Sequence, residues 1–303
     1  MPTLSSASNQ RALIYALGAV GLWSTMATAF KWALDFSTPM ALITLAATVS
    51  WVFFSIRILI SRAFRSLLTM PSRLVTQCLV LGLLNPAIYY WVLFTAYDLL
   101  PAQDAMAINY TWGLTLPLVA AMFTRVLPSK PEIGLALVSY LGILVIATGG
   151  NLTTFQFNEP IGVMLALIST VLWGLSWVVN SRVINANAVD AELALFLNFS
   201  AAVPVLWVVL RITGGLPTMS IETLLGGLYV GLFEMGIAFV LWMNALRLTD
   251  NPLRISSLIF LAPPLSLVLI ATVLNETIAG STLVGLVIIL TGLGGQQLLE
   301  RSK

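Results

Sequence analysis

Asn85 and Glu234 are hydrogen-bonding residues at the centres of two long apolar stretches, residues 74–96 and 222–246. A carboxylate at the middle of a hydrocarbon layer costs about 2.5–3.5 kcal/mol unless water or a donor reaches it. Glu234 is the only acidic residue at such a depth. It reads as the partner of a solute ammonium or as a proton carrier, neutral when its surroundings are dry and charged when they flood. The plainer reading is a neutral carboxyl bonded to a neighbouring helix. Tyr89 lies four residues from Asn85 and shares its helical face, as Trp112 shares that of Asn109; Ser256 answers Asn109 later in the chain. Trp23, Trp173 and Trp177 lie well inside their stretches, away from the ends where tryptophan anchors at a membrane surface. Together these nine residues would wall a small-molecule pocket with aromatic faces and a few polar groups. Each also has a structural use, Asn and Ser in bonds between helices and Trp in packing. Pro86, Pro117, Pro263 and Pro264 are candidate hinges, since proline within a span kinks it.

The elements that must position these groups are membrane helices. The chain of 303 residues is 59% hydrophobic and 9% charged, where a soluble domain is about 45–50% apolar and 25% charged. A crossing helix needs about 20 apolar residues. Candidate spans fall at 12–34, 38–60, 74–96, 102–127, 132–150, 160–183, 190–212, 222–246, 253–275 and 280–299. Turn-forming breaks separate them, among them Asp35 to Pro39, Leu100-Pro101, Asn158 to Pro160 and Asn251-Pro252. The expected fold is therefore an all-α membrane protein of ten transmembrane helices.

The spans fall into two sets of five. Leu22-Trp23-Ser24 answers Leu172-Trp173-Gly174, and the run Leu141 to Gly149 answers Val284 to Gly292. Asn85 and Glu234 stand at the spacing that carries Ala96 onto Ala245, so they occupy equivalent places in the third and eighth spans. Five is odd, so the second set starts from the opposite side of the bilayer. Two inverted five-helix repeats, residues 1–151 and 152–303, would enclose a central cavity near the midplane between spans 1, 3, 4, 6, 8 and 9, with short loops keeping them one compact domain. With the N-terminus in the cytoplasm, all but Lys31 and Arg211 of the 14 Lys and Arg residues lie at cytoplasmic ends, which places both termini there. Arg11, the apolar run after it and Ala27-Thr28-Ala29 also fit a cleavable signal peptide. Against that, residues 12–34 have a counterpart at 160–183, and their removal would leave nine spans.

Absences narrow the chemistry. There is no histidine and one cysteine, Cys78, inside an apolar stretch. Zinc proteases and histidine-based acyl transfer are thereby excluded, and no metal or cofactor is expected. No Walker motif is present, so ATP is not a direct energy source. A net charge of +2 spread over short loops does not suggest a nucleic-acid partner. Phosphorylated solutes need Arg or Lys at the site, and none lies mid-span. The expected partners are the lipid bilayer and a neutral, zwitterionic or cationic small molecule, and a monomer suffices to form the cavity.

The early tryptophans Trp23 and Trp173, the Pro117-Leu118 and Pro264-Leu265 pairs and the Gly-rich closing helices resemble the drug/metabolite transporter superfamily, specifically its ten-helix EamA-type members, over essentially the whole chain. Leu22-Trp23-Ser24-Thr25-Met26 looks like the first helix of bacterial YddG-type aromatic amino-acid exporters. The resemblance implies a bacterial inner-membrane location and export of amino acids, aromatic or apolar ones first, by alternating access, or else of cationic metabolites or drugs. Leu274-Asn275-Glu276 follows the family habit of a Glu after the ninth helix; the first half has Leu127-Pro128-Ser129 there instead. A non-transporting scaffold would not require polar groups at equivalent mid-depth positions.

Overall fold

The computed structural model describes residues 6–61, 63–124, 129–151, 159–187, 189–214, 219–249, 255 and 258–301. The described residues are helical, with no strand among them. The α-helices are α1 (Ser6–Leu34), α2 (Pro39–Ser61), a short α3 (Phe64–Thr69), α4 (Ser72–Gly82), α5 (Tyr89–Leu99), α6 (Ala102–Asn109), α7 (Trp112–Thr124), α8 (Lys130–Ala147), α9 (Pro160–Asn187), α10 (Ala191–Thr213), α11 (Ile221–Tyr229), α12 (Ala238–Arg247), α13 (Ala262–Val273) and α14 (Gly280–Arg301). Six segments are long and apolar enough to cross a membrane: Ser8–Leu34, Pro39–Ser61, Ser72–Leu99, Pro160–Ile184, Ala191–Thr213 and Ile221–Arg247. Ile133–Ala147, Leu258–Val273 and Gly280–Gly295 are shorter apolar helices. Outward-facing residues such as Leu59, Ile60, Met122, Ile212 and Val287 are more than half exposed, as suits side chains that face lipid rather than water.

Three of the expected spans are not plain helices. The third is interrupted by a π-helical turn, Leu83–Ile88, in which Asn85 has extended dihedrals (φ −144°, ψ 116°). Pro86 is the cause, because proline pushes the residue before it out of the helical region. The eighth carries a second π turn, Val230–Ile237, with Glu234 inside it. The fourth, expected as one helix over 102–127, is divided between α6 and α7 at Tyr110 and Thr111. Pro263 and Pro264 stand in the first turn of α13, directly after a 3-10 turn at Leu258–Leu261. That is where proline is best tolerated, so they open a helix rather than bend the middle of one. Pro117 lies within α7, and Ser256 lies outside the described residues.

Close backbone approach at small residues holds the helices together, as membrane interfaces require. A Cβ on Gly82 would collide with the carbonyl of Asn198 on α10, and one on Gly231 with the carbonyl of Ala46 on α2. Gly142 of α8 and Gly285 of α14 face each other, a Cβ on either falling 2.5–2.6 Å from the other's carbonyl oxygen. Ser139 donates to Ile289 O at 3.2 Å beside that crossing. Along α2 and α10, Thr48 accepts from the Trp207 indole and Ser200 from the Trp51 indole, both at 3.0 Å, and Arg57 pairs through two nitrogens with Glu192 at 2.7 and 2.8 Å. In both pairs the contacts climb one helix as they descend the other, so α2 runs antiparallel to α10 and α8 to α14.

Two polar links fix the end of the bundle where α1 and α5 finish. Lys31 donates to Tyr97 O and Leu100 O, each at 2.9 Å, placing a cation on the terminal carbonyls of α5, where the helix dipole is negative. Glu276 accepts from the backbone of Ala102 at 3.1 Å, the mirror arrangement at the start of α6. Read from sequence, Glu276 follows a family habit with no partner assigned; in the structure it caps a helix that enters the cavity wall.

Candidate solute site

The first cavity holds about 560 Å³ of atom-free space and runs along α1 from Trp23 to Phe30 and along α5 from Tyr89 to Tyr97. Met106, Asn109, Tyr110 and Trp112 close it from α6 and α7, Trp173 from α9, Glu234 from the second π turn, and Ile259 and Ser266 from the segment leading into α13. Six of the nine residues expected at the site meet here: Trp23, Tyr89, Asn109, Trp112, Trp173 and Glu234. Asn109 donates to Ser169 of α9 at 3.0 Å, so its amide nitrogen is engaged in a bond between helices.

Glu234 is the most unusual group in this lining. It is 7% exposed, and one carboxyl oxygen accepts from the Tyr90 hydroxyl at 3.1 Å. The other, Oε2, has no partner among the described residues, and neither does the Ser266 hydroxyl. Buried polar atoms are nearly always paired, so an unpartnered carboxylate oxygen on a cavity wall is a place for a donor from outside the chain. Aromatic rings share the lining with it. Trp173 lies 4.9 Å from Tyr89 and 6.2 Å from Trp112, and Trp23 lies 5.2 Å from Trp242, centroid to centroid.

Asn85, Pro86 and Trp177 line a second cavity of about 620 Å³. It is bounded by Ser176, Asn180, Ser181 and Ile184 of α9, by Ala194, Asn198 and Phe199 of α10, and by Tyr90, Phe239 and Met243. Asn85 donates to Ser176 at 3.0 Å. Gly162 near the start of α9 packs on Leu100 just after α5, so the first cavity extends toward that end of the bundle and the second toward the far end of α9. One aromatic layer separates them. Tyr89 and Trp173 face the first, and Tyr90, Trp177 and Phe239 the second. Ring centroids across the layer are 4.6 Å apart for Tyr89–Tyr90, 5.7 Å for Trp173–Trp177 and 5.9 Å for Trp173–Phe239.

Sequence reading missed Tyr90, Tyr97, Phe239 and Ser266. Regular 3.6-residue periodicity makes adjacent residues diverge, so Tyr89 and Tyr90 could not both be assigned inward. Within α5 they do diverge, Tyr89 toward the first cavity and Tyr90 toward the second, and both are at least 96% buried. By its place near the outer end of the third span Tyr97 reads as a belt residue at the membrane surface; it is instead 3% exposed and packs edge-on against Phe30 at 5.3 Å. The pairing of Tyr97 O with Lys31 explains the difference, since it draws that turn of α5 against α1.

A model of the EamA-like transporter family matches the chain twice, over residues 10–148 and 160–295. The chain is 28% identical over 188 residues to a protein of Salmonella typhimurium described as a probable amino-acid metabolite efflux pump, covering 59% of this chain and 61% of that one. Over 166 residues it is 24% identical to an uncharacterized transporter of Clostridium kluyveri, covering 52% of this chain and 50% of the relative. The chain thus spans between half and about three fifths of the curated relatives it matches. Its fold is similar to that of a solved crystal structure, with a TM-score of 0.64 at 24% identity over 96% of this chain and 98% of the other. Matched in both halves and over most of its length, the chain belongs to the EamA-like transporter family.

Proposed function

We propose that the chain is a bacterial inner-membrane exporter of small organic metabolites, amino acids with aromatic or apolar side chains first among them. It works by alternating access between two inverted five-helix repeats, residues 1–151 and 152–303, with both termini in the cytoplasm. The observation that carries this reading is the unpartnered Oε2 of Glu234 in an aromatic-walled cavity, a seat for a solute ammonium. The second cavity, one aromatic layer away, supports a path with a chamber on each side of a thin barrier. In the proposed orientation the first chamber faces outward and the second inward. The antiparallel pairing of α2 with α10 and of α8 with α14 supports inversion, because equivalent helices cross in opposite directions only in such a repeat. The name of the Salmonella relative supports amino acids as cargo.

The test is uptake of radiolabelled phenylalanine, tryptophan and leucine into liposomes carrying the purified protein, with and without a pH gradient. Uptake above empty liposomes that falls at least about tenfold in Glu234→Gln supports the reading, a loss of about 1.4 kcal/mol in transition-state stabilisation. Uptake indistinguishable from empty liposomes for every amino acid overturns amino-acid export. Undiminished uptake in Glu234→Gln removes Glu234 from the site.

A further inference from the structure

The one charged residue in the described lining of the first cavity is acidic. Glu234 supplies a carboxylate, and Trp23, Tyr89, Tyr97, Trp112 and Trp173 supply aromatic rings, whose faces are negative. No Lys or Arg is among the described lining residues. The basic residue adjoining this lining on α1 is Lys31, next to Phe30, and its ammonium is already bonded to the Tyr97 and Leu100 carbonyls. Asn109, the one amide in the described lining, gives one N–H to Ser169. An ammonium entering this chamber meets a free carboxylate oxygen and a cage of rings, the arrangement that recognises organic cations. An α-carboxylate entering with it leaves water and finds only neutral donors, such as the Ser266 hydroxyl, among the described lining residues, which is costly in a partly dry site.

We infer that this cavity selects net-positive amines carrying an aromatic or apolar body, and binds them more tightly than the zwitterionic amino acids of the same side chain. The inference rests on the reading of the first cavity as the solute site and narrows its cargo. An arylalkylamine or an amino-acid amide presents the ammonium and the ring that this lining is suited to meet. The second cavity differs in kind. Its described lining has Asn85, Ser176, Asn180, Ser181 and Asn198 and no charged residue, so it offers no basis for separating an amine from a zwitterion.

A four-member series tests this on the full-length protein in detergent micelles. Phenethylamine, phenylalanine amide, phenylalanine and 3-phenylpropionate share one ring and run from cation through zwitterion to anion, the amide replacing the carboxylate of phenylalanine by a neutral group. Binding is read by the fluorescence of Trp23, Trp112 and Trp173, which line the cavity, and checked by calorimetry. The expected order places phenethylamine and the amide about tenfold tighter than phenylalanine, with 3-phenylpropionate weakest. In Glu234→Gln the advantage of the amines over phenylalanine disappears, and Glu234→Asp restores part of it. Phenylalanine binding as tightly as phenethylamine, with both weakened in Glu234→Gln, overturns the charge preference while leaving the site in place. Binding of the whole series unchanged by Glu234→Gln and Trp173→Ala overturns the inference together with the site reading beneath it.

Discussion

The two π turns occupy equivalent places in the two halves, yet they serve different chambers. Leu83–Ile88 carries Asn85 into the second cavity, where its amide is bonded to Ser176; Val230–Ile237 carries Glu234 into the first, where a carboxylate oxygen is left free. Both turns begin beside a glycine pressed on a backbone carbonyl of another helix, Gly82 on Asn198 and Gly231 on Ala46. The backbone device is therefore shared and the chemistry is not. Asn-Pro unwinds the third span outright, whereas Phe-Glu-Met-Gly keeps helical dihedrals through the eighth. The two matched segments share the turn, and the side chain each turn carries sets which cavity it lines.

The shared part of that comparison yields the largest effect. Gly82→Val and Gly231→Val each drive a branched side chain into a carbonyl, and overpacking of this kind costs about 1–3 kcal/mol or more. Both variants should lose most folded protein by size-exclusion chromatography and fluorescence melting. Gly21→Val, with nothing within 4 Å of the added Cβ, should melt like the parent. Equal melting of all three would remove the close helix crossings from the account.

The unshared part comes next. Glu234→Gln should weaken amine binding about tenfold at nearly unchanged stability, because the amide keeps an acceptor for Tyr90. Asn85→Ala should leave that binding within about twofold, its effect falling on the second chamber. A large loss from Asn85→Ala together with none from Glu234→Gln would reverse the roles of the two turns.

Tyr90→Phe tests a side-chain hydrogen bond that joins the chambers, from a residue of the second cavity to a carboxylate of the first. Removing it frees the second oxygen of Glu234, and a few-fold change in amine affinity is expected from a lost bond of about 0.5–1.5 kcal/mol. Calorimetry on the same four ligands measures it; no change for any ligand would disconnect Tyr90 from the site. The smallest effect is expected at Arg57–Glu192, whose side chains are 40% and 20% exposed. A double-mutant cycle on melting should return about 0.2–1 kcal/mol, and a larger coupling would mark that end of α2 and α10 as more than a surface pair.

Much of this was legible in the sequence. Mid-span polarity picked out Glu234 and Asn85, and hydropathy located the apolar segments to within a few residues. Six of the nine expected pocket residues share the first cavity, and Asn85 and Trp177 line the second. What periodicity could not give was that two diverging faces of α5 are both buried against cavities, which hid Tyr90, and partners far apart in the chain, which hid the Lys31–Tyr97 and Glu276–Ala102 bonds. It also gave no means of telling that one cavity is two, because the dividing layer is built from rings on α5, α9 and α12 that meet only in the fold.

The most direct test of the central claim is the position of a bound amine. A structure of the protein with 4-bromophenethylamine, the bromine located by anomalous scattering, should show the ring among Trp23, Trp112 and Trp173 and the nitrogen within hydrogen-bonding distance of Glu234 Oε2. A ligand seated instead beside Asn180 and Asn198 in the second cavity, with Glu234 still unpartnered, would contradict it.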